Sequence, residues 1–274
     1  MSEVSETKRK DGAGRVALVS GASSGIGKAF AHILACNGFD LVLTARREQQ
    51  LRALAQDLEA TFATKTHVMR ADLTDPTAPR RLFDDIAAAD LHVDVLVNNA
   101  GYGMPGFFND TAWDSHRDYL QVMAIAPVHL AYLAAPAMVE RGYGRIVNVG
   151  SVSGLLPPHA GGTLYYPVKS FLIKFSLAHG EELRRAGVHV TALCPGFTRT
   201  NFQQASGGSV EAVTMPGFMW MDADVVAAKG YRAVMRGDPV CVPGWANRAL
   251  VGLFKYLPEG IGRWIIRATG KPTD

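Results

Sequence analysis

The chain has 274 residues, 48% of them hydrophobic, enough for one large domain whose core needs neither disulfides nor a structural metal. A net charge of +3, with lysines and arginines not interleaved with aromatics, excludes an obvious nucleic-acid footprint. Cys36, Cys194 and Cys241 are far apart and odd in number, which suits a reducing, cytoplasmic setting; neither they nor the eight dispersed histidines have metal-binding spacing.

Residues 1–14, MSEVSETKRKDGAG, are polar and contain no apolar segment, so a flexible tail is expected there rather than a leader or anchor. From Arg15 the chain alternates short β-rich runs with longer helical patterns. RVALVS, DLVLTA from Asp40, THVMRA from Thr66 and VDVLVNNA from Val93 read as strands, and the segments starting near Gly25, Glu48 and Pro76 read as helices. Long helices are expected within Trp113 to Glu140 and Tyr165 to Arg185, with further strands at GRIVNVG from Gly144, VHVTALC from Val188 and PVCVPG from Pro239. This order favours parallel βαβ units with helices on both faces. With no linker or composition break before residue 195, residues 15–246 are expected to form a single domain and 247–274 an extension.

Ser20-Gly21-Ala22-Ser23-Ser24-Gly25-Ile26-Gly27 follows the first strand and precedes a helical run. Small residues there let a backbone turn approach a pyrophosphate, and the helix terminus offers free NH groups to its charge. A purely structural glycine turn is the alternative. The second strand ends at Thr44-Ala45-Arg46-Arg47, where an NAD-selective fold carries an acid for the ribose hydroxyls. Ala45 cannot serve so. Arg46 would instead pair with a 2′-phosphate, and Arg47 would be a second contact or a solvent-facing helix residue.

Tyr165 and Lys169 lie one helical turn apart if a helix begins at Tyr165. An ammonium beside a phenol lowers the cost of forming phenolate, so the pair suits proton transfer, with Ser151 upstream as a second hydroxyl. Tyr166 reads as aromatic packing. Ser153 competes with Ser151 for the serine role.

SGASSGIG, Asp72-Leu73, Asn98-Asn99-Ala100-Gly101, the serine of GSVSG, YYPVK and Pro195-Gly196 occur in an order that resembles the classical short-chain dehydrogenase/reductase family across Gly14 to Thr200. The resemblance implies a Rossmann-like, doubly wound parallel sheet of about seven strands and a nicotinamide cofactor, NADP(H) given Arg46. It also implies a homodimer or homotetramer. In that reading Tyr165 is the proton donor or base, Lys169 tunes it and holds the cofactor ribose, and Ser151 orients the substrate oxygen.

Cofactor contacts are expected from Gly21, Ser23, Ser24, Gly25, Ile26, Gly27, Arg46, Arg47, Asp72, Leu73, Asn99, Ala100, Gly101, Tyr165, Lys169, Pro195, Gly196 and Thr198. Asp72 has the alternative of a turn carboxylate, and Asn98 reads as structural. Ser151 to Tyr165 is one residue longer than the common family spacing, to be absorbed in PPHAGG.

Met123 departs from the pattern. Four residues before Pro127, it stands where the family often has an asparagine whose amide organises a helix distortion and a water route to the lysine. A thioether offers no such donor and acceptor. One reading is a packing change that leaves catalysis intact; the other is impaired proton exchange in a catalytically weak nucleotide-binding regulatory or scaffold protein.

Phe107, Phe108, Leu155, Leu156, Met215, Phe218, Met219 and Trp220 are candidates for an apolar pocket or its cover, which suits a hydrophobic ketone or alcohol substrate. Residues 248–274 hold five basic and two acidic side chains among aliphatics and aromatics. Packing on the domain or at an oligomer interface is expected. Peripheral membrane contact is the alternative, because Arg263 and Arg267 flank Trp264, Ile265 and Ile266.

Overall fold

A computed structural model of the protein describes residues 11–104, 107–158, 160, 162–200, 202, 216–258 and 260–261. The first half runs β1 (Val16–Ser20), α1 (Gly25–Cys36), β2 (Asp40–Thr44), α2 (Glu48–Phe62), β3 (Thr66–Val68), α3 (Ala78–Ala88) and β4 (Val95–Asn98). Next come α4 (Trp113–Leu120), a π-turn (Gln121–Ile125), α5 (Ala126–Glu140), β5 (Gly144–Val149), α6 (Tyr165–Leu183) and β6 (Val188–Leu193). Short strands β7 (Thr198–Arg199) and β8 (Met221–Asp222) precede α7 (Ala223–Arg236), β9 (Val240–Cys241) and α8 (Trp245–Tyr256).

Seven strands form one parallel sheet in the order β3-β2-β1-β4-β5-β6-β9. This is the doubly wound, Rossmann-like arrangement that the family resemblance implies, built from the parallel βαβ units the alternation favours. Strand residues alternate between two cores: Ala17, Val19, Leu41, Leu43, Val147 and Val149 face α1, α2 and α7, while Leu18, Val42, Leu96 and Ile146 face α3 and α5. Because both faces are buried, the central strands are continuous apolar runs. The two edge strands are shorter than THVMRA and PVCVPG suggest, at three and two residues. The order reverses between β1 and β4, so the loops leaving those strands border one crevice at the carboxyl edge.

The packed fold begins before Arg15. Gly12 N donates to Asn37 O at 3.0 Å, and Tyr231 Oη donates to Asp11 Oδ2 at 2.9 Å, tying residues 11–12 to the first core face. At the other end α8 packs against residues 152–155 and 217–219. Residues 262–274, with Arg263, Trp264, Ile265, Ile266 and Arg267, lie outside the described residues, as does Met215.

Trp113–Glu140 is one continuous helical span, apolar and long enough to cross a membrane by length and composition, and half of its most apolar window is buried inside the fold. The π-turn interrupts its α-helical register: Ala126 N donates to Gln121 O, five residues back. Pro127 supplies a cause, since it has no N–H to donate to the carbonyl of Met123. Asn98 Nδ2 then donates to Pro127 O at 3.0 Å, anchoring the junction to β4.

Candidate active site

The crevice at the β1/β4 switch point is built from the glycine turn. Asn99 Nδ2 donates to the carbonyls of Ser20 and Gly21, both at 3.1 Å, and Ser20 Oγ accepts from the backbone of Asn99 and Ala100 at 3.0 and 3.1 Å. The turn is thereby fastened to the end of β4. A Cβ on Gly27 would stand 2.4 Å from both Asn99 Nδ2 and Gly21 O, so only glycine permits the approach.

Ser24 is the N-cap of α1, but its side chain makes no capping bond and the first turn carries no acid. The first-turn amides are thus left for an anion. Arg47 Nη2 instead donates to Ser23 Oγ at 2.8 Å and Ser24 Oγ at 2.9 Å, placing a guanidinium at the mouth of the turn. Arg46 is exposed, and its carbonyl accepts from Arg70 Nε at 3.1 Å. Three arginines therefore share the corner next to Ala45. Arg47 is the one that touches the turn, and Arg70 was not apparent from sequence because it arrives from the far end of β3. With this cationic corner and the glycine cradle, the residues present fit a dinucleotide carrying a 2′-phosphate.

The remaining crevice residues divide between lining and support. Ile26 packs partly buried on the first core and Leu73 is buried in the second. Asp72 Oδ1 accepts from Thr74 N and Oγ1 at 3.1 and 2.9 Å, the turn-carboxylate arrangement, while the residue stays exposed. Asn98 is structural: buried, it donates to Asn148 Oδ1 at 2.8 Å, and Asn148 passes the chain to Ser176 Oγ on α6 at 2.8 Å.

Gly101 is exposed and faces Met123 Sδ. Pro195 O accepts from Val152 N at 3.0 Å, and Thr198 Oγ1 donates to Gly196 O at 3.0 Å. Thr200, next in that loop, meets Gly25 of the turn, and Asn247 of α8, buried and donating to Pro243 O at 2.8 Å, fills the space over Gly196. Neither Thr200 nor Asn247 carries a sequence signal of its role, because both contacts are made through space.

The three residues expected to handle the proton, Ser151, Tyr165 and Lys169, converge. α6 begins at Tyr165, so Lys169 stands one turn on, with Nζ 5.8 Å from the Tyr165 ring centroid. Lys169 is 8% exposed and its Nζ donates to Val149 O at 2.8 Å. Burial brings its pKa down from 10.5 to about 8. Burial also raises Tyr165, opposed by a side-chain hydrogen bond with Ser151 that favours the phenolate.

Ser151 is buried, and its Oγ also accepts from Ser153 N at 3.1 Å, so Ser153 supports Ser151 through its backbone. The loop reaches α6 because a Cβ on Gly154 would lie 2.7 Å from the Lys169 carbonyl carbon; Ser170 Oγ caps Gly154 O at 2.8 Å. The extra residue before Tyr165 is therefore absorbed without parting Ser151 from it. Tyr166 packs on Gly162 and edge-on against Tyr165 at 6.2 Å, and burial pushes its phenol up to about 12. Beneath the group, buried Cys194 is pushed up to about 12 by the same desolvation and stays a neutral thiol.

Met123 is buried in the π-turn with Tyr119 and Val168, against Tyr165. The helix distortion is thus present without an amide at position 123. Of the expected apolar residues, Leu155 and Leu156 are half-buried beside the Ser151 loop, Phe107 and Phe108 are exposed, and Phe218 stacks on Trp245 of α8 at 5.9 Å. Trp220 packs on Phe197 at 5.4 Å. Phe202, unremarked in the sequence, lies 6.2 Å from the Tyr165 ring. A cavity of about 690 Å³ runs along α1 between Lys28, His32, Arg199 and Thr200, whereas the one against Tyr165 holds only about 20 Å³.

The sequence profile of the short chain dehydrogenases matches residues 15–209. The chain belongs to the short-chain dehydrogenase/reductase family. This dehydrogenase/reductase is 36% identical over 179 residues to a very-long-chain 3-oxoacyl-CoA reductase of Coprinopsis cinerea, a match covering 65% of this chain and 52% of that protein. It therefore spans about half the length of that relative. It is 34% identical over 257 residues to the inactive hydroxysteroid dehydrogenase-like protein 1 of Homo sapiens, covering 92% of this chain and 74% of that one. Among solved structures, a short-chain dehydrogenase from Sphingobium yanoikuyae in complex with NADPH superposes with a TM-score of 0.77 at 30% identity, covering 89% of this chain and 97% of that one.

Proposed function

We propose that the protein is an NADP(H)-dependent oxidoreductase that reduces a hydrophobic ketone, or oxidises the corresponding secondary alcohol. The observation that carries this reading is the convergence of Ser151, Tyr165 and Lys169 beside a glycine cradle with Arg47 at its mouth. A bound nicotinamide dinucleotide supplies the hydride. Gly21 to Gly27 and the first turn of α1 would hold its pyrophosphate, Arg46 and Arg47 its 2′-phosphate, and Lys169 its ribose. Ser151 would orient the substrate oxygen while Tyr165 gives that oxygen a proton, or takes one during oxidation. Lys169, cationic at neutral pH, lowers the cost of the phenolate that results.

The apolar approach past Phe107, Phe108, Leu155, Leu156 and Phe202, and a relative named for very-long-chain oxoacyl substrates, support a bulky or elongated hydrophobic substrate. We read residues 15–246 as the catalytic domain and 247–274 as an extension whose first part covers the Ser151 loop. Exposed Ile125, Tyr132 and Val139 recur every seven residues, with Phe171 exposed on α6, and support a homodimer or homotetramer. Free thiols at Cys36, Cys194 and Cys241 support a reducing, cytoplasmic setting. Exposed Trp245, Leu253 and Tyr256 beside Lys255 on α8 favour shallow lipid contact as a competing role for that helix.

The test is titration of the purified protein with NADPH and NADH, then turnover on a panel of small and bulky ketones. Tighter NADPH binding with turnover on bulky ketones is expected. Tighter NADH binding would overturn the cofactor assignment. Met123 and a relative named as inactive favour a second reading, a nucleotide-binding protein of little activity; NADPH binding without turnover across the panel would select it.

A further inference from the structure

We propose that Tyr119 and His116 hold a water molecule against Tyr165 and so provide the proton route that an amide at position 123 would otherwise serve; this rests on Tyr165 being the proton donor. Tyr119 is fully buried and His116 is 3% exposed. Among the described residues, Tyr119 Oη and His116 Nδ1 have no hydrogen-bond partner. A buried hydroxyl or ring nitrogen left so has given up its bond to water for nothing, so two on one cavity call for a ligand. Both residues line the same cavity of about 20 Å³, and Tyr165 lines it too. That is room for one water, with Tyr119, His116 and Tyr165 as its polar partners.

The surrounding contacts assign the roles. His116 Nε2 lies 2.9 Å from Phe108 O, a contact that requires its proton there and leaves the Nδ1 lone pair to accept. Burial, with Tyr165 and Tyr102 nearby, raises the Tyr119 phenol, so it stays a neutral hydroxyl that orients rather than ionises. His116, Tyr119 and Met123 follow one another at three and four residues along the helix, and Met123 Sδ closes off Gly101. On the outer side His116 stacks under Phe108 at 4.4 Å, beside exposed Trp113. The route therefore opens at a surface rim rather than beneath Lys169. In reduction, Tyr165 loses its proton to the substrate oxygen; the held water gives one to the phenolate as it takes another from solvent. One proton enters for each that leaves.

Tyr119 and His116 are positioning residues, and Tyr119→Phe tests them because it removes one oxygen and keeps the ring. Steady-state ketone reduction should fall roughly fivefold to tenfold, the effect of one lost hydrogen bond, with an increased solvent deuterium isotope effect. NADPH affinity, melting temperature and the single-turnover rate of NADPH oxidation should be unchanged. Met123→Asn should restore turnover in Tyr119→Phe more than it raises turnover in the parent. Unchanged turnover and isotope effect, or equal losses in the steady-state and single-turnover rates, would overturn the proposal. A high-resolution crystal structure separates this from the functional reading: water bonded to Tyr119 Oη and His116 Nδ1 supports the site even in a protein without turnover, and a dry cavity refutes it.

Discussion

The glycine turn and the α4 seam meet at Gly101 yet are held in opposite ways. At the turn, Ser20, Asn99 and Ala100 bond the ends of β1 and β4 to each other, and Arg47 bonds both turn serines. At the seam, Tyr119 and His116 keep polar atoms without partners among the described residues, and packing is left to Met123, Val168 and Tyr102. The first region is preorganised around a ligand of fixed shape. The second retains unsatisfied groups beside Tyr165, the proposed proton donor. A rigid floor and a polar seam with bonding capacity to spare suit the two halves of a hydride and proton transfer.

The largest effect should come from Tyr165→Phe, which removes the acid and leaves the floor intact. Turnover should fall by about 10²- to 10⁴-fold with NADPH affinity kept, as read by steady-state kinetics and fluorescence titration. An equal loss of cofactor affinity would mean that floor and seam are one unit. Next, Arg47→Ala should weaken NADPH by roughly 10- to 100-fold, the loss of about 1.5–3 kcal/mol from a charged hydrogen bond, while NADH binding hardly changes. Similar losses for both nucleotides would show that Arg47 serves the turn's shape rather than the 2′-phosphate.

The smallest effect concerns Lys169, whose pKa falls on folding from 10.5 to about 8. Over that interval the unfolded chain binds more protons, so this group makes stability rise with pH from about 8 to 10.5. Below about pH 8 the buried cation is a cost. Lys169→Met should therefore lose activity and yet gain on the order of 1–3 kcal/mol at neutral pH, less the lost bond to Val149 O. That gain should vanish by about pH 10.5. Denaturant melts of both proteins at several pH values would check it, and a gain independent of pH would discard the desolvation argument.

What was legible in the sequence follows the same division. The sheet and the floor are written in contiguous strings: apolar runs make buried parallel strands, and SGASSGIG, NNAG and YYPVK each act within a few residues of where they lie. Ser151, Tyr165 and Lys169 were legible because one loop and one helical turn bring them together. The seam was not, because Tyr119, His116, Phe202 and Asn247 acquire meaning only from neighbours distant in the chain. The place of Arg47 at the turn is hidden in the sequence for the same reason, since its partners lie 23 and 24 residues upstream. Met123 is legible as a departure, whereas the distortion that the resemblance attributes to an asparagine is present without one, beside a Pro127 that has no N–H for the α-helical bond.

That proline makes the span from Trp113 to Glu140 two helices out of phase. Each residue of an α-helix advances about 100° around the axis, so one wide turn offsets everything before it against everything after it. A face drawn by counting across Gln121–Ile125 mixes two surfaces. The offset also divides mutational freedom. Side chains within the wide turn, Met123 included, can change identity without rotating either half, whereas a residue with an N–H at position 127 would let the halves re-phase and swing Tyr119 away from Tyr165.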